Sequence, residues 1–416
     1  MLIRRAYKFR LVPNAAQKVQ LAQGAGCVRL VWNRSLALQH ERLAKNERVH
    51  SYNMLAGMLR EWKQSDDLAF LKDAHSQPLQ QTLKDLDRAL KDGFAKTKGM
   101  PDFKKKDRSC ESMKFPQGFR FEGRRLFIPK IGLVKSFMGR PVCGKMKNLT
   151  VRKEAGLWYA AIQVEEEIGE PAHPRALSLV GIDVGVKRFA TLSNGSVIEP
   201  ISAYRKHERK LALWAQRLAK KQKGSQNRIK ARRKLQDLHE KIRRTRQDFL
   251  HKASHWVSKN HGIVVLEDLQ VSSMSASAKG TQEAPGRNVR AKAGLNKSIL
   301  DQGWYEFKRQ LGYKLEWGGG VLHLVPAQYT SQMCSACRHV SAANRISQSE
   351  FCCERCGVRC NADENAARNI AEKALGHRDS ACESNLTRGR KQEPTRKRKA
   401  AKAISEYRPL DVVSTV

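Results

Sequence analysis

The sequence predicts a multidomain α/β protein with a metal-stapled segment near its C-terminal end. Three observations predict it. Two Cys-x-x-Cys pairs, Cys334/Cys337 and Cys353/Cys356, are separated by fifteen residues, a spacing at which four thiolates can close a tetrahedral zinc site. Two nearly continuous apolar runs, 177–185 and 262–269, read as buried strands, the first carrying one carboxylate and the second two at its C-terminal end. Helical apolar periodicity fills long stretches around them, and a block of short strand-like runs lies between.

The elements follow in order. Residues 5–12 alternate Tyr7, Phe9 and Leu11 with basic residues, a half-buried strand that Pro13 ends, and Asn14 can cap a helix from Ala15. Helical patterns run to about Lys98. Leu30, Val31, Leu36 and Leu38 mark one stripe, Met54, Leu55, Met58, Leu59 and Trp62 a second. Leu79, Leu83, Leu86, Leu90 and Phe94 mark a third after Pro78, which suits a first turn. The stripes read as core. Arg29, Trp32, Asn33, Arg60 and Lys63 among them suit a solvated face or a nucleic-acid backbone equally. Gly99-Met100-Pro101 breaks the helices. Strand candidates at 125–129, 133–134, 149–151 and 158–164, parted by glycine-containing turns, suggest a small barrel. If the strand at 5–12 joins it, the helices are an insertion. Residues 165–174 read as a polar linker.

The first buried strand follows, carrying Asp183, and 189–198 reads as a hairpin with a type I′ turn at Asn194-Gly195. Residues 204–252 hold eighteen Lys/Arg against four Asp/Glu. Leu211, Trp214 and Leu218, then Leu235, Leu238 and Ile242, make them a basic helical hairpin around Gly224-Ser225, suited to phosphate contact. The second buried strand carries Glu267 and Asp268. Residues 272–290, rich in Ser, Ala, Gly and Lys, read as a mobile loop. Residues 296–317 read as one helix with Leu300, Trp304, Phe307, Leu311 and Leu315 on one side, and 321–325 as a strand. Beyond the cysteines, Asp363 opens a helix with Ala366, Ala367 and Ile370. From about Gly376 the chain is charged and irregular, a basic disordered tail.

Composition bounds the partner. The formal net charge is +39, from 79 Lys/Arg against 40 Asp/Glu. That charge repels itself unless a polyanion neutralises it, which points to nucleic acid. No apolar run is long enough to span a bilayer, and the basic start is no signal peptide. Cys27, Cys110, Cys143, Cys352, Cys360 and Cys382 are scattered, which fits a reducing cytoplasm and not a secreted disulfide framework.

Three carboxylates stand out: Asp183, Glu267 and Asp363. Gathered on buried elements they are unfavourable without a cation. With one they make an oxygen-lined site suited to Mg2+ or Mn2+, which in pairs activate water and steady a leaving oxygen. Each has a plainer reading. Asp183 could pair with Lys187. Glu267 could be a surface residue with Asp268 the interior one, and Asp363 could be only a helix cap. For the cysteines the competing reading is a redox pair, which leaves the second Cys-x-x-Cys unexplained. Cys352 and Cys360 are near enough to be alternative ligands but break the paired spacing. The twelve histidines form no compact ligand set.

Several runs taken together resemble the TnpB (OrfB) proteins of bacterial insertion sequences, over nearly the whole chain to about Leu375. They are Tyr7-Lys8-Phe9-Arg10-Leu11-x-Pro13, Gly181-Ile182-Asp183-Val184-Gly185 and Val265-Leu266-Glu267-Asp268-Leu269. With them go Leu300-Asp301-Gln302-Gly303-Trp304, Tyr329-Thr330-Ser331-Gln332-x-Cys334-Ser335-x-Cys337, Phe351-x-Cys353-x-x-Cys356-Gly357 and Asp363-x-Asn365-Ala366-Ala367-x-Asn369-Ile370. The resemblance implies an RNA-guided DNA endonuclease, long called a transposase, with a wedge β-barrel at 1–12 and 99–170 and an inserted helical recognition domain at 13–98. It implies an RNase H-like (RuvC) nuclease at 175–332 and 358–375, with the basic hairpin at 204–257 and mobile loop at 270–295, a zinc ribbon at 333–357 and a tail at 376–416. It implies Asp183, Glu267 and Asp363 as magnesium ligands and catalytic groups, and Cys334, Cys337, Cys353 and Cys356 as zinc ligands. The implied partners are a guide RNA from the element, a double-stranded DNA target and a separate transposase of that element, in the bacterial cytoplasm near the nucleoid. Arg338 departs from the family, standing where a glycine is usual. A strand-joining transposase and a non-cleaving DNA-binding regulator are the other function classes.

Overall fold

A computed structural model of the chain describes residues 1–106 and 111–386, with side chains through residue 376. Two compact units are present, residues 1–168 and residue 169 onward.

The first unit is a seven-stranded antiparallel sheet with helices inserted between its first two strands. The strands are β1 (Leu2–Val12), β2 (Ser112–Phe115), β3 (Arg120–Glu122), β4 (Arg125–Ile128), β5 (Gly132–Phe137), β6 (Lys145–Glu154) and β7 (Leu157–Glu167). Their order is β2-β6-β7-β1-β5-β4-β3. Pairing is that of an open sheet with β2 and β3 at its edges, so no strand pairing among the described residues closes the expected barrel. The sequence missed both edges because three or four residues are too few for alternation to register.

β7 runs through Glu165, Glu166 and Glu167, which the sequence placed in a linker. Arg4 on β1 stands opposite Glu165 and pairs with it at 3.1 Å, and Arg5, opposite Val164, reaches Glu166 diagonally at 3.2 Å, so cross-strand charge holds an acidic run in the sheet. The helices α1 (Ala15–Ala44), α2 (Tyr52–Gln64) and α3 (Ser76–Phe94) all fall between β1 and β2. Asn14 and Gln17 close the expected cap of α1 reciprocally, each side chain accepting the other's backbone N–H. Leu21, Leu36, Leu55 and Leu83 from the helices share one core with Phe115, Leu126 and Ile162 from the sheet.

The second unit is built on β8 (Leu179–Val184), β9 (Ala190–Leu192), β10 (Val197–Ile198), β11 (Ile263–Glu267) and β12 (Val321–Val325), in the order β10-β9-β8-β11-β12. β8, β11 and β12 run parallel, and β9 and β10 are antiparallel additions. The β9–β10 turn is not type I′. Gly195 has φ +82° and Asn194 is not left-handed. Gly195 N–H donates to the Leu192 carbonyl at 2.9 Å, a type I turn followed by a glycine bulge.

The basic hairpin is α4 (Ala203–Ala219) and α5 (Gln226–Asn260). Where a loop was expected, α6 (Val271–Met274) forms a short turn of helix. The helix expected over 296–317 is broken at Gly303, φ +74°, into α7 (Val289–Gln302) and α8 (Trp304–Gly318). The break leaves Leu300 53% exposed, and Ile299 takes the inner position. Trp304, Phe307, Leu311 and Leu315 join Val180, Ile182 and Val264 in the core, as their spacing predicted. The described residues end in a two-stranded ribbon, β13 (Glu350–Cys352) and β14 (Arg359–Asn361), and α9 (Ala362–Leu386). α9 continues past Gly376, where the tail was expected to begin, and the tail from residue 387 lies outside the described residues. No described helix is long and apolar enough to cross a membrane.

Candidate catalytic and metal centres

β8 and β11 are parallel and in register, Ile182 opposite Leu266. One step further, Asp183 and Glu267 leave adjacent strands at their carboxyl ends, about 5 Å apart across the sheet. The third carboxylate arrives by helix packing. Gly181 lies on the same face of β8 as Asp183. A Cβ on Gly181 would sit 2.2 Å from the Ala367 carbonyl oxygen and 2.5 Å from Ala371 N, so only glycine allows α9 this close. Leu179 packs against the cluster holding Ile370 and Ala374, so the helix runs opposite to the strand. From the Gly181 contact the strand advances two residues, about 7 Å, to Asp183. The helix runs back four residues, about 6 Å, to Asp363. Both carboxylates emerge at one end.

The electrostatics record that meeting. Burial, then the charges of Glu267 and Asp363, push the Asp183 carboxyl up to about 7, against the opposing effect of Arg345. Burial also raises Glu267, opposed by a hydrogen bond from Thr330 and by Lys373. The Thr330 hydroxyl donates to Glu267 Oε1 at 2.5 Å. Arg345 Nη2 lies 3.8 Å from Asp363 Oδ1.

The plainer readings fare differently. The cation acting on Asp183 is Arg345, and Lys187 is exposed. Asp268 is the outward residue, paired with Lys308 at 3.1 Å, while Glu267 turns in toward Thr330. Asn361, not Asp363, caps α9, its Oδ1 accepting the N–H of Asp363 at 3.1 Å and of Glu364 at 3.3 Å.

The four cysteines converge. Their sulfurs all lie within 4.8 Å of one another, with Cys334 to Cys356 at 3.6 Å and Cys337 to Cys353 at 3.5 Å. A tetrahedral zinc with bonds of about 2.3 Å needs sulfurs about 3.8 Å apart, so the donor set fits that ion. Cys352 and Cys360 lie in β13 and β14, outside the cluster. The two knuckles are built alike. Arg338 N–H bonds the Cys334 carbonyl at 3.0 Å, and Gly357 N–H bonds the Cys353 carbonyl at 2.9 Å. Arg338 occupies the left-handed region at φ +62°, as Gly357 does at +71°. Its side chain reaches Glu372 on α9 at 3.1 Å.

Two fully buried asparagines tie this ribbon to the carboxylates. Asn365 accepts from Ser335 N–H at 2.9 Å and donates to the Met333 carbonyl at 2.7 Å. Asn369 donates to the carbonyls of Thr330 at 2.8 Å and Met333 at 2.7 Å. α9 is thus latched to the first knuckle and to the threonine that holds Glu267. Sequence reasoning gave no role to Thr330, Asn365 and Asn369, although they stood in the runs quoted above. Arg345 it missed entirely, since nothing in its local pattern separates it from other surface arginines.

Comparison with known proteins agrees with the sequence. Residues 161–278 match the OrfB family of IS605-type elements, described as "Probable transposase". Residues 304–370 match a Cas12f1-like TNB domain. Residues 1–48 match a domain described as helix-turn-helix, and here fold as β1 and one long helix. The chain is 48% identical over 394 residues to "Putative RNA-guided DNA endonuclease InsQ" of Escherichia coli K12, covering 94% of this chain and 97% of that one. A Streptomyces pristinaespiralis protein described in the same way is 34% identical, covering 91% of each. A Cas12f1 complex with guide RNA and target DNA superimposes loosely, with a TM-score of 0.34 and 18% identity, over 90% of this chain and 100% of that chain.

Proposed function

This chain belongs to the TnpB (OrfB) family, and we propose that it is an RNA-guided DNA endonuclease of a transposable element, cutting target DNA beside a short adjacent motif. The observation that carries the reading is the meeting of Asp183, Glu267 and Asp363 at one end of the parallel strands, with the Asp183 carboxyl held up to about 7 by burial and its two neighbours. Such a set is unfavourable to ionise alone and is relieved by a hard divalent cation. The relatives' descriptions favour cutting over a strand-joining or purely regulatory role.

Asp183, Glu267 and Asp363 would hold Mg2+ or Mn2+. Bound there, the metal would supply an activated water and charge stabilisation for phosphodiester cleavage. The chain's own groups prepare that site. Thr330 fixes one oxygen of Glu267 and leaves the other for a ligand. Asn361 takes the capping work and leaves the Asp363 carboxylate available. Arg345 supplies a positive charge where a phosphate would enter. The cysteine cluster would hold zinc as a brace, acting through Asn365 and Asn369 on the helix that carries Asp363. We read the second unit as the RNase H-like (RuvC) nuclease, and the sheet with inserted helices as the part that grips guide RNA and reads the duplex motif. The basic hairpin would hold nucleic acid by phosphate contacts. Strand joining would fall to a separate transposase of the element.

The test is to express the chain with its flanking DNA, sequence the RNA that co-purifies, and challenge the complex with a matching duplex and Mg2+. A defined RNA extending into element-flanking sequence is expected, with cutting that Asp183→Ala abolishes. Heterogeneous RNA removable by salt, with no guided cutting, would overturn the proposal.

A further inference from the structure

Next to a residue of the carboxylate site, one residue holds a costly backbone conformation that its own side chain does not repay. Tyr329 has φ +61° and is the only aromatic residue in the left-handed region among the described residues. Bulky side chains rarely adopt that conformation. It is enforced from several sides. Gln332 and Met333 donate their N–H groups to the Tyr329 carbonyl at 3.1 and 2.9 Å. The next residue, Thr330, is buried and pinned by its hydroxyl to Glu267 and by its carbonyl to Asn369.

The side chain gains no polar or aromatic partner in return. Tyr329 is 63% exposed, and among the described residues its ring meets no aromatic or cationic partner and its hydroxyl no hydrogen-bond partner. Backbone strain that the surroundings over-determine, displaying a side chain with no intramolecular use, marks a functional contact. Its backbone lies one residue from Thr330, whose hydroxyl touches Glu267, so the ring is anchored next in sequence to a residue of the carboxylate site.

We propose that Tyr329 is a base-stacking platform for the strand being cut, its ring taking the face of an unpaired nucleobase beside the scissile phosphate. The inference rests on the nuclease reading above. An aromatic face suits a guided enzyme because every base has a π-face, so stacking steadies the strand without restricting its sequence. The held backbone fixes the direction in which the side chain leaves the chain, and a bound base would settle the ring from there.

The test uses the full chain with its guide RNA in single-turnover cutting, with one abasic nucleotide moved stepwise through the strand around the cut. Wild-type chain should slow by about 5–150-fold at one position, the range that stacking on a single ring implies. Tyr329→Ala should slow by a similar factor on intact DNA and show no further loss at that position, while Tyr329→Phe cuts nearly as wild type. Tyr329→Gly should melt higher than wild type yet cut as slowly as the alanine variant, which a merely structural tyrosine would not do. Wild-type rates in Tyr329→Ala, or an abasic profile that persists in it, overturn the inference alone. A wild-type chain that cuts no guided duplex removes the reading beneath it as well.

Discussion

Replacing Asp183 by asparagine should abolish cutting and, above neutral pH and without divalent metal, make the protein more stable. The sign follows from linkage. The folded carboxyl stands at about 7 against an ordinary 3.8, so ionising it is harder in the folded chain than in the unfolded one. Wild-type stability is therefore unaffected below the unfolded value, falls as pH rises from about 4 to about 7, and stays reduced above. A displacement of about 3 pH units corresponds to at most about 4 kcal/mol at ~1.4 kcal/mol per unit. Because part of it is shared with Glu267 and Asp363, about 2–4 kcal/mol is expected, or roughly 4–16 °C for a unit of this size. The assay is calorimetric melting of wild type and Asp183→Asn at pH 5 and pH 8 after dialysis into magnesium-free buffer, since a chelator would also strip the cysteine site. At pH 8 the variant should melt higher, at pH 5 the gap should shrink to less than half of that, and added Mg2+ should raise wild type alone. A variant that melts at or below wild type at pH 8, or a gap equal at both pH values, would refute the argument that these carboxylates repel one another in a desolvated cluster.

Three further outcomes are expected. Gly181→Ala puts a methyl group against the backbone of α9, which no rotamer relieves. It should cost about 1–3 kcal/mol and stop cutting while RNA binding survives, whereas Gly57→Ala, with open space around it, should do neither. Asn365→Ala removes two of the bonds that tie α9 to the first knuckle, a loss of about 1–3 kcal/mol. It should speed zinc release, followed with a zinc-responsive dye, and slow cutting, and unchanged release would contradict the latch. Arg345→Ala should lower the single-turnover cutting rate by roughly 10²-fold, with Arg345→Lys intermediate, and a wild-type rate in Arg345→Ala would remove Arg345 from the site.

Local pattern made the components of this protein readable. The paired cysteines, the buried strands with their carboxylates, the basic hairpin and the cap at Asn14 are signals within a few residues of one another, where backbone geometry and solvation act directly. Some misreadings arose where distant partners decided and others where a single residue's backbone conformation did. The three glutamates of β7 read as linker until Arg4 and Arg5 stood across from them, and the helix at 296–317 read as unbroken although Gly303 divides it. The type I′ turn failed because only one of its two residues is left-handed. Above all, the sequence placed three carboxylates on three elements but could not bring them together. That required the register of β8 on β11 and a glycine that admits α9, because proximity between residues 183, 267 and 363 is a property of packing and not of sequence spacing.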